Sequence, residues 1–230
     1  MAFSLKNVTK KYGDRVVLEN FSLELQSGKI NCVLGPSGSG KTTILRVLAG
    51  ITEYEGEVER PEKISYIFQD SRLIPHLTVW ENVEYVLMDV KKAEREILIK
   101  RLLELTEIYD RRNDRPIALS GGMARRVAMA RAYAYPSELL LMDEPFSALD
   151  LGLKLRQMEV YNNLAKEYPR TSVFVTHDID EALLFGDTVT VLGKDGRVAD
   201  GFSVTEPREH RDLFSPYFIE LKSRLYGLLK

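Results

Sequence analysis

A chain of 230 residues with 44% hydrophobic and 29% charged side chains is long enough to bury a sizeable core, and it has the make-up of one ordinary soluble α/β domain. Its 32 Lys and Arg nearly balance 34 Asp and Glu, and a net charge of -2 gives no basic footprint for nucleic acid. The opening "MAFSLKNVTKK" lacks the apolar core of a signal peptide and no run approaches the length of a membrane span, so the chain is expected to stay in the cytosol.

Near-alternating patterns over residues 3–12 and 16–28, parted by Gly13-Asp14-Arg15, predict an antiparallel hairpin. The short apolar run "KINCVLG" (29–35) reads as a strand, and Cys32 within it, having no second cysteine to pair with, as an inert strand residue. A glycine-rich loop follows, then "KTTILRVLAGI" at helical spacing, then a further short strand, "KISYIF" (63–68). From Thr78 to about Arg112 the chain is charge-rich and mostly helical in pattern, with Thr78 and Glu81 spaced as a capping box. This block interrupts the alternation of strand and helix, so a separate helical subdomain is expected. "ELLLMD" (138–143) and "TSVFVTH" (171–177) are continuous apolar runs of the kind buried on both faces of a parallel sheet. Asp178 and Glu181 repeat the capping-box spacing, Gly186 reads as a helix stop, and residues 188–200 as a terminal hairpin turning at Asp195-Gly196. The expected layout is one domain over 1–230. Residues 1–75 and 136–205 form an α/β core with a mostly parallel sheet and an N-terminal antiparallel β subdomain, 76–135 a helical subdomain, and 206–230 a helical tail.

The chemistry begins at Gly35, Pro36, Ser37, Gly38, Ser39, Gly40, Lys41 and Thr42, which fit G-x-x-x-x-G-K-[ST] at every fixed position, with Thr43 next in the helix. Glycines let backbone N–H groups close around phosphates, Lys41 reaches the β/γ oxygens, Thr42 offers its hydroxyl to Mg²⁺, and the helix N-terminus faces the negative charge. "LLLMDEP" (139–145) ends a strand in acids at the carboxyl edge of the sheet, where ligands of open α/β sheets bind. Asp143 is suited to the Mg²⁺ shell, and Glu144 to polarising a water as general base. Gln69 and His177 also follow strands at this edge. Gln69 is placed to touch metal-bound water, and His177 to contact the γ-phosphate or orient Glu144. Taken singly, such a His or Gln is more often structural or solvated; their shared edge with the phosphate loop raises both. His76 and His210 have no such setting.

A second anion site lies in "ALSGGMARRVAMARA" (118–132), where Ser120 is a good N-cap and Gly121 and Gly122 leave bare N–H groups at a helix start. One nucleotide needs one cradle. The second is therefore expected to serve a nucleotide held by another copy, in a head-to-tail pair related by a two-fold axis.

In the order "GPSGSGKTT", Gln69, "LSGGM", "LLLMDEP", "SALD" and "VTHD", the chain closely resembles the ATP-binding subunits of ABC transporters over its whole length. The resemblance implies a P-loop NTPase fold of the ABC ATPase type, with ATP and Mg²⁺ bound. By it, Gln69 is the Q-loop residue, Ser147 to Asp150 the D-loop at the dimer seam, His177 the switch histidine, and Tyr12 of "KKYG" the aromatic that stacks on adenine. The trans side of the ATP site is then Ser120, Gly121, Gly122, Met123 and Asp150. One position departs from the family pattern: the signature commonly ends in Gln, where this chain has Met123. Met cannot donate a hydrogen bond, so the trans contact is expected to rest on Ser120, Gly121 and Gly122. The resemblance further implies peripheral association with the cytoplasmic side of the membrane through permease subunits docking around residues 70–95, with a solute-binding protein as an indirect partner. "SRLIPHLTVWENV" is similar to the importer branch serving nitrate, sulfonates, taurine or thiamine precursors. A P-loop kinase leaves "LSGG" unexplained, and a GTPase lacks its N-K-x-D motif here. A soluble ATPase of the same family, acting as a mechanical switch, and the ATPase subunit of an exporter are the competing readings.

Overall fold

The computed structural model describes residues 3–147 and 149–229. Ala148 of the expected D-loop, and Met1, Ala2 and Lys230 at the ends of the expected layout, lie outside the described residues. The strands are β1 (Phe3–Tyr12), β2 (Arg15–Leu25), β3 (Ile30–Leu34), β4 (Glu55–Glu59), β5 (Ile64–Ile67), β6 (Leu139–Asp143), β7 (Thr171–Thr176), β8 (Thr188–Leu192) and β9 (Val198–Ser203). The helices are α1 (Lys41–Ala49), α2 (Val79–Glu84), α3 (Lys92–Leu105), α4 (Gly121–Ala134), α5 (Leu151–Glu167), α6 (Ile179–Phe185) and α7 (Pro216–Leu228).

Two sheets sandwich α1. The larger has the order β5-β6-β7-β3-β8-β9 and is parallel except for β9, which returns antiparallel to β8. The smaller has the order β2-β1-β4 and is antiparallel throughout. Alternation along the central strands divides the core. Leu139, Leu141, Val173 and Val175 pack with Ile44, Leu45 and Leu48 of α1 and with Leu5 and Leu18 of the small sheet. Leu140, Met142 and Phe174 face the opposite way, onto the layer built by α2 to α6. Both faces of the parallel strands are thus dry, which is why their sequences read as unbroken apolar runs.

Strand β4 is the element the sequence pattern did not announce. "EGEVE" is exposed along nearly its whole length, with Val58 alone packing inward against the core, so no alternation marks it. The predicted helical block from Thr78 is real but divided. Thr78 and Glu81 form the expected reciprocal capping box at α2. A 3₁₀ turn over Tyr85–Leu87 then separates α2 from α3. An unbroken helix from 78 to 112 would run about 50 Å, whereas α4, which both apolar stripes cover, has 14 residues and spans about 21 Å. The break folds Val79, Val83 and Leu87 and then Ile99, Leu102 and Leu103 back over one partner.

At α6 the capping box differs from expectation, while Gly186 stops the helix as expected. Asp178 caps it, accepting from the N–H groups of Asp180 and Glu181, but Glu181 does not reach back to close a box. Its carboxylate turns inward to other partners, described below. Gly186 ends the helix with φ -73, an ordinary conformation; glycine is needed there for space, since a Cβ would lie 2.8 Å from that of Cys32. Residues 216–228 form the expected closing helix.

Beneath the carboxyl edge of the sheet, Phe185 packs edge-on against Phe146, Phe174 and Tyr161 with centroid separations of 4.9, 5.1 and 4.6 Å. All four are fully buried. Phe185→Ala is expected to cost about 3–5 kcal/mol of unfolding free energy, read from the shift in urea midpoint at unchanged slope.

Candidate active site

The site is a row of strand ends. Parallel pairing sets Leu34 opposite Thr176 and Asp143 opposite Val175, so the residues just past β3, β6 and β7 emerge side by side. Gly35 N–H donates to the Thr176 carbonyl at 3.2 Å, and Glu144 N–H to the Val175 carbonyl at 3.1 Å. The phosphate loop, the paired acids and His177 are therefore stitched together by backbone.

Within the loop, Gly40 caps α1 with φ 97, where a Cβ would meet Leu18 Cδ2 at 3.0 Å and the Val17 carbonyl at 3.3 Å. The Lys41 ammonium is clasped by the carbonyls of Gly35 and Pro36, each at 2.8 Å. Burial lowers its pKa, against the upward pull of Glu144 and Asp143. The Thr42 hydroxyl donates to Asp143 Oδ1 at 3.0 Å, and the Tyr66 hydroxyl to Oδ2 at 3.4 Å. Burial raises the Asp143 pKa; the Thr42 hydrogen bond opposes this and neighbouring Glu144 adds to it. A hydroxyl and a carboxylate oxygen 3.0 Å apart are the hard donors Mg²⁺ favours, since that ion takes few protein oxygens and completes its shell with water and phosphate. Among the described residues no group of three or more His, Cys, Asp or Glu is arranged to hold a metal.

Glu144 has a left-handed backbone, φ 46, which is uncommon for a residue other than glycine and turns the chain sharply away from β6. Its Oε1 lies 3.1 Å from His177 Nδ1. Two cavities meet at Thr42. One of about 310 Å³ is lined by Ser37, Gly38, Gly40, Lys41, Thr43 and Glu144. The other, about 680 Å³, brings Asp143 and Gln69 together with Tyr66, Arg46 and Tyr12, a residue 42% exposed.

The signature residues stand elsewhere; neither cavity is lined by Ser120, Gly121, Gly122, Met123 or Asp150. Ser120 caps α4 by accepting from Met123 N–H at 3.3 Å. The Met123 side chain is half-buried against the helical core and does not stand in solvent. Asp150 is exposed and caps α5 through Leu153 N–H.

Two participants escaped the sequence reading. Tyr66 is the second donor to Asp143. Arg125, on the first turns of α4, donates to the Pro145 carbonyl at 2.7 Å and to Ser147 Oγ at 3.3 Å. It ties the signature helix to the turn that carries Glu144. An arginine in a run of helical charges has no pattern that tells it from a solvated one; only the tertiary contact does.

A nucleotide-binding cassette is the class of protein these features define, and the comparisons agree. The family described as "ABC transporter" matches residues 18–147. The aliphatic sulfonates import ATP-binding protein SsuB 2 of Pseudomonas syringae pv. syringae (strain B728a) is 39% identical over 98% of this chain and 81% of its own length. The Fe(3+) ions import ATP-binding protein FbpC of Fusobacterium nucleatum is 39% identical over 84% of this chain and 56% of its own. The bacterial ABC transporter cassette MJ0796, solved as a dimer, superposes with a TM-score of 0.78 at 34% identity, covering 89% of this chain and 100% of that one. In a post-hydrolysis state bound to ADP and Pi it gives 0.76 at the same identity and coverage. The chain belongs to the ABC transporter family. It is an ATPase with the ABC ATPase fold.

Gly40→Ala combines a left-handed backbone with a tight contact beneath the loop. It should lower stability by at least about 1 kcal/mol and weaken binding of an ATP analogue at least tenfold, checked by thermal melting and calorimetric titration.

Proposed function

We propose that the chain powers a membrane importer, working as one of two copies that close head to tail on two ATP molecules. The observation that carries the reading is Glu144, held 3.1 Å from His177 one residue beyond the carboxylate that Thr42 touches. That spacing provides a metal-side carboxylate and a separate general base at one sheet edge. Mg²⁺ held by Thr42 and Asp143, when bound, would neutralise charge on the β- and γ-phosphate oxygens. ATP draws Lys41 away from the Gly35 and Pro36 carbonyls and onto its phosphates. Glu144 takes a proton from the attacking water, His177 orients that carboxylate, and Gln69 reaches the water shell from the neighbouring cavity. Tyr12 stacks on adenine from the rim.

The γ-phosphate also receives the partner copy's Ser120, Gly121 and Gly122, with Asp150 at the seam, so closure is tied to the nucleotide and loss of the γ-phosphate reopens the pair. The dimeric state of MJ0796 supports this arrangement. Among the described residues no helix is long and apolar enough to cross a membrane. Transport by this chain thus calls for separate permease subunits, to which it docks peripherally on the cytoplasmic side around residues 70–95, with a solute-binding protein delivering cargo. Names of the relatives favour a small anionic nutrient of the sulfonate kind.

Glu144→Gln keeps shape and removes the base. It should still bind ATP, lose about 10²- to 10⁴-fold in turnover, and sediment as a dimer only with Mg-ATP; normal turnover removes Glu144 from the role. Met123 is half-buried against the core, so Met123→Gln is expected to change turnover by less than about tenfold, or ~1.4 kcal/mol of barrier, in a steady-state assay.

A further inference from the structure

Lys154 stands one turn into α5, its N–H donating to the Asp150 carbonyl at 2.9 Å. Its ammonium, largely out of solvent, sits between two acids that lie one and four residues past His177. The distances are 2.6 Å to Asp178 Oδ2 and 2.7 Å to Glu181 Oε1. Glu181 is only 3% exposed. Its second oxygen accepts from Thr176 Oγ1 at 2.5 Å, and Thr176 Oγ1 in turn accepts from Asp178 N–H at 3.1 Å. The residues on either side of His177 are therefore both gripped by one network, and that network ends on Lys154. The imidazole itself is half in solvent and, among the described residues, has one hydrogen-bond partner, Glu144. Its aim is set by where its backbone is held.

A buried ion pair is weak evidence for stability, because desolvation of both charges offsets much of their attraction. Stability alone thus accounts poorly for a lysine and two acids at this point. What the triad does geometrically is join the start of α5, capped by Asp150, to the two sides of His177.

We infer that Lys154 is a positioning residue for ATP hydrolysis: through Asp178 and Glu181 it fixes His177 against Glu144 and makes that alignment depend on the position of the α5 N-terminus. This rests on the proposed roles of His177 and Glu144. If the α5 start lies at the seam between two copies, each copy senses its partner's arrival through a single ammonium.

The test is a double-mutant cycle in the full chain, with Lys154→Met, His177→Ala, the pair, and Lys154→Arg. Lys154→Met is expected to lose tenfold or more in kcat with KM for Mg-ATP within threefold of the parent, and Lys154→Arg to recover most of that loss. The pair should be no slower than His177→Ala by more than about threefold, because a residue acting through His177 has nothing left to position. Losses that multiply in the pair, or an unchanged kcat in folded Lys154→Met, overturn the inference while leaving His177 in the site. Normal turnover in His177→Ala overturns the site reading and this inference with it. If Lys154→Met does not fold, Asp178→Asn replaces it in the same cycle, keeping volume and the helix cap while removing the charge that Lys154 meets.

Discussion

Parallel register is the constraint on which the chemistry depends. With Leu34 set opposite Thr176 and Asp143 opposite Val175, the chain leaves three strands at one level, and the two cross-strand N–H bonds from Gly35 and Glu144 continue the ladder beyond the sheet. A slip of one residue would exchange the two faces of every strand and bring Leu140 and Met142 onto α1. Packing on both faces forbids that. The same dispersion and burial that stabilise the core therefore fix the relative positions of the lysine, the two acids and the histidine, which lie far apart in sequence.

The site keeps charge where burial opposes it. Lys41 and Asp143 are both pushed toward their neutral forms by desolvation, and Glu144 is bent into a backbone conformation that few non-glycine residues adopt. Such features are retained because surrounding packing over-determines them, here by Phe146 wedged fully buried immediately after the turn.

Much of this was legible in sequence because the physical causes are local. Residues 139–143 and 171–176 read as parallel strands because both of their faces are buried, and the phosphate loop as a loop because its glycines and lysine occur at fixed spacing. Elements whose cause is distant were not legible. β4 is exposed along an edge and carries charges in place of an alternation. The break between α2 and α3 follows from the length of α4, which no residue near Tyr85 encodes. Glu181 looked like a helix-capping acid because its spacing from Asp178 is right, yet its carboxylate goes to a lysine 27 positions earlier in the chain, and Arg125 and Tyr66 find their partners across gaps of 20 and 77 positions.

The two carbonyls that clasp Lys41 give the phosphate loop a character of its own. An arriving anion does not meet a bare ammonium. It meets one that already makes two 2.8 Å bonds, to Gly35 and Pro36, and where it displaces them it gains the difference between those bonds and its own. A stray monoanion offering no more than two carbonyls' worth of acceptor strength gains little by entering. A polyphosphate that can repay the exchange at several oxygens gains much. The loop's own backbone is in this sense a built-in competitor for the lysine, one that sets a threshold for what is admitted.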